Sequence, residues 1–316
     1  MAMTAPVIPT LEDVRRARER IAGYVDVTPL FERDGVGYKL EFLQRTGSFK
    51  PRGAFNAALQ LSEEERSRGV VAMSGGNHGL AVAYVGKTLG IPTTVVMPKT
   101  TPPFVVDRAR ADGARVELTE TIAAAFARVD ELVRDGLILL HPFDDARVIA
   151  GQGSIALEML EQMPDLGTVV VSIGGGGLLA GIASTLKRLK PNVKVFGVET
   201  KGADAMHRAL EAGKPVMLDA ITSIARTLGA PAVSHLTLDG VRQYVDDVVV
   251  VDDRDAVAAI IQLQEKLGVL VEPAASCTYA ALTLGLVPKS EQTLLLLCGS
   301  NVRLDEVVAW RQRFLG

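Results

Sequence analysis

Residues 169–184, "VVVSIGGGGLLAGIAS", run from an apolar stretch into four consecutive glycines and then into a second apolar segment. The valines do not alternate with polar residues, so they read as a strand buried on both faces. The segment after the glycines reads as a helix. Gly174, Gly175, Gly176 and Gly177 therefore make a strand-to-helix turn. Its backbone can approach an anion closely, below free N–H groups and the positive end of the helix dipole. By mechanism this is a phosphate cradle; the plainer alternative is a tight turn with no ligand. Gly175, Gly177 and Ala180 also fit the dinucleotide pattern G-x-G-x-x-A, and Glu199 ends the next strand about where a ribose-binding acid would stand. On this stretch alone, a nicotinamide or flavin enzyme stays open.

The same alternation extends outward. Upstream, "GVVAMS", "PTTVVMP", "RVELT" and "LILLHP" read as strands, separated by the helical segments "HGLAVAYVGKTLG", "PPFVVDRARADGA" and "ETIAAAFARVDELVRDG". Downstream, "VKVFGVE", "DDVVVVDD" and "TLLLLCGS" read as strands, with a helix over "RDAVAAIIQLQEKLG". Repeated βα units build parallel sheets covered by helices, and two sets imply two sheets. The expected class is α/β: two open, twisted, mostly parallel sheets flanked by helices. "YKLEFL" near the N-terminus is expected to be a further strand. Residues 201–245 show weak periodicity.

The 316 residues are 48% hydrophobic and 22% charged, with a formal net charge of −3, enough for a sizeable core and no basic surplus for nucleic acid. No run of 18 uncharged apolar residues is present, so no membrane span or membrane partner is expected. "MAMTAPVIPTLEDVRRARER" lacks an apolar signal core, which points to a cytoplasmic protein. Cys277 and Cys298 form neither a disulfide framework nor a zinc spacing.

Three further stretches carry chemistry. In "MSGGNHG", residues 73–79, Ser74, Gly75, Gly76, Asn77 and His78 lie between a strand end and a helix start. That geometry suits a carboxylate, although a simple helix cap would use the same residues. Lys50, in "TGSFKPRGA", sits between Phe49 and Pro51. Most lysines are solvated, but one desolvated by apolar neighbours has a lowered pKa and becomes a Schiff-base nucleophile. Cys298, in "LLLLCGSNV", ends a buried strand, at the edge where open parallel sheets bind ligands; alone it reads as a small core residue. Together, a phosphate cradle, a half-buried lysine, an anion-binding turn and a strand-end thiol describe one ligand, pyridoxal 5′-phosphate.

"TGSFKPRGA", "SGGNHG", "VIAGQGSIALE", "IGGGGLLAGI", "VEPAAS" and "CGSNV" follow one another in this order. In these motifs the chain resembles the serine/threonine dehydratase and serine racemase family of pyridoxal-phosphate enzymes, of tryptophan-synthase-β type (fold type II), over roughly residues 10–305. The dinucleotide reading gives no role to "SFKPRG" or "SGGNHG". The resemblance implies that Lys50 binds the cofactor covalently, next to Phe49. It further implies that Gly174–Gly177 hold the phosphate, Asn77 bonds the ring's 3-oxygen, and Cys298 meets the pyridine nitrogen. Ser74 and the turn through Gly75, Gly76, Asn77 and His78 would take the carboxylate of a small amino-acid substrate. It also implies a homodimer, a large domain of residues 1–64 and 145–316, and a small one of 65–144. The implied reaction is loss of water from a β-hydroxy amino acid such as serine or threonine.

Departures from the family pattern bear on that expectation. Racemases of the family carry a second serine where Gly75 stands, so racemisation is expected to be weak. Members with a divalent cation place an acid at Glu199 and another six residues on, where this chain has Ala205 beside Asp204; a metal site is not expected. In "TSIARTLGAP", Arg226 stands where an acid is common. An arginine there would suit the distal carboxylate of 3-hydroxyaspartate, a second substrate reading. The connection between Pro29 and "YKLEFL" is also shorter than usual. Racemisation, and a PLP-binding sensor without turnover, complete the alternatives.

Overall fold

The structure, a computed structural model, describes residues 7–290 and 292–316. Residues 1–6, the first part of the stretch that shows no signal core, lie outside the described residues. Among the described residues, ten strands form two sheets. The larger has the order β1-β2-β10-β7-β8-β9, from β1 (Leu30–Arg33), β2 (Val36–Lys39), β7 (Thr168–Ser172), β8 (Lys194–Thr200), β9 (Asp247–Val251) and β10 (Thr293–Leu296). The smaller has the order β5-β4-β3-β6, from β3 (Val70–Met73), β4 (Thr93–Pro98), β5 (Arg115–Thr119) and β6 (Ile138–Leu139), all parallel. In the larger sheet only β1 and β2 are antiparallel. This is the expected α/β class, with two sheets.

Strand neighbours bring distant residues together. β7 and β10 lie side by side in parallel, so the glycine turn after β7 and Cys298 after β10 emerge at one sheet edge. Every residue of both strands is buried, as their unbroken apolar runs require. Helix Gly177–Leu189 follows the glycines and packs on helix Ala146–Gln162, which in turn packs on helix Pro51–Ala58. Glycines make these crossings close. A Cβ on Gly151 would lie 2.4 Å from the Arg52 carbonyl oxygen, and one on Gly181 would lie 2.5 Å from that of Ile149. The segment bearing Lys50 is thereby held against the elements that carry the glycine turn.

A buried ionic cluster fixes the same segment. Arg52 Nη2 donates to Glu41 Oε1 at 2.8 Å, and its Nη1 donates to Glu158 Oε1 at 2.6 Å. Lys39 Nζ donates to Glu158 Oε2 at 2.6 Å. Two cations and two carboxylates balance, which is the condition for burying them together.

"YKLEFL" is not one strand. Tyr38 and Lys39 end β2, and Glu41–Leu43 form a single 3-10 turn. β2 is the second arm of a hairpin closed by Asp34 and Gly35, both at positive φ (52° and 72°), which tightens the connection after Pro29. Within 201–245 lie two helices, Ala205–Ala212 and His235–Tyr244, and a 3-10 turn at Arg226–Leu228.

Candidate active site

Lys50 immediately precedes helix Pro51–Ala58, whose first position is a proline preset for the helical φ. Its Nζ donates to the Pro142 carbonyl at 3.1 Å and stands 5.1 Å from the centre of the Phe49 ring. The loss of hydration lowers its pKa to about 8, with Cys298 and Glu272 acting weakly the other way. With a pKa of about 8, roughly a fifth of the lysine is neutral near pH 7.4, far more than for a solvated lysine.

Lys50 and Phe49 line a cavity together with Asn77, Phe143, Ser172, Gly174–Gly177, Leu178, Thr227, Leu228, Glu272, Ala274 and Cys298. The glycines are required sterically. A Cβ on Gly175 would lie 2.0 Å from the Phe143 ring, and one on Gly174 would lie 3.2 Å from Leu228 backbone. Gly176 has φ of 92°, and no side chain caps the helix that begins at Gly177. Its first N–H groups face the cavity edge as an anion site.

Cys298 is 2% exposed and receives a hydrogen bond from Ser172 Oγ at 3.4 Å. Burial pushes its thiol up to about 12, with Glu272 adding to the effect, so it stays neutral. Asn77 Nδ2 donates to Glu272 Oε1 at 2.7 Å, and Asn77 Oδ1 accepts from Asn301 Nδ2 at 2.6 Å. The Glu272 carboxyl is pushed up to about 7 by burial, against the hydrogen bonds from Thr227 and Asn77 that favour its charged form. Its Oε2 has no hydrogen-bond partner among the described residues.

The other anticipated residues divide. Ser74 Oγ accepts from the Gly76 N–H at 3.2 Å and so shapes the turn. Gly75 and Gly76 abut Thr101 and Thr227 respectively. The His78 side chain is not free for substrate: its Nε2 meets the Leu140 carbonyl at 2.7 Å, and burial drives its pKa to about 3. Only its backbone remains at the turn. Arg226 does not line the cavity. It is half-exposed and pairs with Glu306, because the 3-10 turn directs Thr227 and Leu228 inward instead. Glu199 accepts from the Met206 and His207 N–H groups at 2.9 and 2.8 Å, capping helix Ala205–Ala212. Among the described residues no three His, Cys, Asp or Glu side chains cluster as a metal site.

Sequence reasoning missed Glu272, Thr227, Phe143, Leu228 and Ser172. Glu272 carried a signal, a carboxylate in the apolar run "VEPAAS"; the apolar residues carried none.

The family model for pyridoxal-phosphate dependent enzymes matches residues 21–299. The chain belongs to that family. It is 40% identical over 305 residues to phenylserine dehydratase of Ralstonia pickettii, covering 93% of this chain and 94% of that enzyme. It is 37% identical over 310 residues to an L-threonine ammonia-lyase of Thermotoga maritima, covering 94% and 77%. Maize serine racemase superposes with a TM-score of 0.89 at 34% identity, covering 96% and 97%. The fold is therefore fold type II, tryptophan synthase β-like, and the cofactor is pyridoxal phosphate. The chain is a PLP-dependent enzyme of the dehydratase or lyase type. The cavity fits that cofactor on its own terms: a cradle closed to any Cβ, a desolvated lysine and a neutral thiol share it.

Proposed function

We propose that the chain removes water from a β-hydroxy 2-amino acid with an uncharged side chain, serine or threonine first, giving a 2-oxo acid and ammonia. The carrying observation is Lys50, desolvated and facing the glycine turn and Cys298 across one cavity. Lys50 would hold the cofactor covalently beside Phe49. Gly174–Gly177 would hold its phosphate, Asn77 its 3-oxygen and Cys298 its ring nitrogen. When bound, pyridoxal phosphate draws electrons from the substrate's Cα–H bond.

A neutral Lys50 Nζ accepts the α-proton. The Cα–H electrons form the Cα–Cβ double bond as the β-hydroxyl leaves as water, and the proton it takes up is balanced by the α-proton that Lys50 accepts. Hydrolysis of the resulting enamine consumes one water and releases ammonia. The thiol of Cys298, a far weaker acid than a carboxylic acid, would leave the ring nitrogen of a bound cofactor unprotonated. Charge built at Cα is thus poorly stored, which favours prompt loss of the β-substituent.

The side-chain preference follows from the cavity wall. Phe143, Leu178 and Leu228 are apolar, and Arg226, the residue suited to an acidic substrate, faces Glu306. This favours an uncharged side chain over 3-hydroxyaspartate, and the likeness to phenylserine dehydratase supports including bulkier β-substituents in the proposal. By the family resemblance we also propose residues 65–144 as the small domain against 1–64 and 145–316, and a cytoplasmic homodimer, which sedimentation would test. Release of 2-oxo acid should be measured for serine, threonine, phenylserine and 3-hydroxyaspartate. Turnover of any of the first three above the fourth is expected. Turnover of 3-hydroxyaspartate alone, or of none, overturns the reading.

A further inference from the structure

Thr101 follows β4 and is 8% exposed, and its Oγ1 is buried with no hydrogen-bond partner among the described residues. A buried, unpaired hydroxyl carries a desolvation cost, so its retention asks for a reason. Its position suggests one. A Cβ built on Gly75 would lie 2.3 Å from Thr101 Oγ1, so the threonine hydroxyl fills the space where a side chain at residue 75 would begin. On the other side of the turn, a Cβ on Gly76 would lie 3.2 Å from Thr227, a wall of the cavity. The turn then enters helix Asn77–Leu89, 13 residues long, with no side-chain cap on its first N–H groups. A free hydroxyl donor and uncapped helix N–H groups together make an anion subsite, one residue from the Asn77 side chain in the cavity.

We propose that Thr101 is a substrate-contacting residue, whose hydroxyl donates to the α-carboxylate of the amino acid alongside the N–H groups of Asn77, His78 and Gly79. That the anion is an amino acid's carboxylate rests on the reading given under Proposed function. The hydroxyl that a serine at residue 75 would offer is supplied here from residue 101, and the two positions exclude each other sterically.

The test uses the holoenzyme with Thr101→Val, which removes the hydroxyl at constant shape, and Thr101→Ser, which keeps it. Two ligands serve: a turned-over β-hydroxy amino acid, read by KM and kcat, and glycine, which lacks a β-substituent and is read by the change in cofactor absorbance on titration. Thr101→Val should melt no lower than the unmutated protein, since it loses an unpaired buried hydroxyl. It should bind glycine roughly ten- to hundred-fold more weakly and raise KM similarly, as for a lost hydrogen bond to a charged group. Thr101→Ser should stay within a few-fold of the unmutated protein. Gly75→Ser should weaken binding alone and recover when combined with Thr101→Ala. Unchanged glycine affinity in Thr101→Val, equal losses in Thr101→Val and Thr101→Ser, or Gly75→Ser tolerated equally with and without Thr101→Ala would overturn the proposal. If no β-hydroxy amino acid is turned over but glycine binding still depends on the hydroxyl, the dehydratase reading fails and the Thr101 subsite stands.

Discussion

Lys50 and Glu272 face the same cavity, and burial acts on them in opposite senses. It lowers the lysine to about 8 and raises the glutamic acid to about 7, favouring the neutral form of each. Lys50→Ala should abolish covalent cofactor retention and lower turnover by about 10²–10⁴-fold or more, the span of a lost general base. Borohydride reduction followed by peptide mapping checks it; a label on another lysine would refute the assignment. The Glu272 prediction concerns stability. A carboxyl whose pKa is higher folded than unfolded binds more protons in the native state, so its contribution falls as pH rises from about 4.5 to about 7. Glu272→Gln keeps the shape and removes the titration. In the cofactor-free protein, the variant should gain roughly 3 kcal/mol over the unmutated chain by pH 8 and nothing below pH 4. Taking the difference cancels the opposite trend from His78, which titrates near 3 folded and stabilises as pH rises toward 6.5. A difference that does not vary with pH, measured by urea denaturation, would show that Glu272 is not desolvated. Lys50, the four glycines, Asn77 and Cys298 were legible in the sequence because each sits in a local pattern of strand end, glycine run or apolar flank. Phe143, Thr227 and Leu228 were not, since only the tertiary fold tells such residues from ordinary core. The reverse error fell on Arg226, whose charge suggested a ligand although its partner, Glu306, lies in another helix.

Elements were legible in proportion to their periodicity. "RVELT" coincides with β5, and the helix read up to Gly90 ends there, with that glycine left-handed at φ of 67°. The hairpin β1–β2 escaped notice although Asp34-Gly35 is a strong turn signal, because β1 is mostly exposed and its residues, "LFER", do not alternate. "VIAGQGSIALE" was visible as a motif, but its physical purpose was not. Gly151 admits the Arg52 carbonyl, and Glu158 pairs with both Arg52 and Lys39, so one helix holds the Lys50 segment through both contact and charge. Gly151→Ala should therefore cost about 1–3 kcal/mol by overpacking backbone against backbone. It should also reduce kcat by displacing Lys50, whereas an alanine at Glu161, exposed near the end of that helix, should do neither. Chemical denaturation with parallel kinetics decides it, and a neutral Gly151→Ala would mean that the crossing is looser than its geometry states.

At the scale of the molecule, the two sheets meet through a hydrogen-bonded chain from the surface to the cavity. Arg108 sits on helix Pro103–Ala111, packed against helix Asn77–Leu89 beside the four-stranded sheet. Its Nη1 donates to Asn301 Oδ1 at 2.6 Å. Asn301, beyond β10 of the larger sheet, donates from Nδ2 to the Thr46 carbonyl at 2.9 Å and to Asn77 Oδ1 at 2.6 Å. Asn77 then donates to Glu272. Each amide has its oxygen and nitrogen roles fixed by the next, so Arg108 sets the orientation of Asn301, and Asn301 that of Asn77. Arg108 is exposed, and losing a hydrogen bond there leaves water to replace it, so the stability cost should stay within about 1 kcal/mol. The functional cost should be larger, because a reoriented Asn301 would present an N–H rather than an oxygen to the guanidinium's place and release Asn77 in the cavity. Arg108→Ala should accordingly leave the melting temperature within about 2–4 °C while raising KM roughly 3- to 30-fold, the scale of coupling through such a network. Asn301→Ala should be worse on both counts, since it leaves the part-buried Thr46 carbonyl and the buried Asn77 side chain without that donor. A KM unchanged in Arg108→Ala would break the chain at its first link. A stability loss that matches the loss of activity would reduce the chain to packing, with no role in orienting the site.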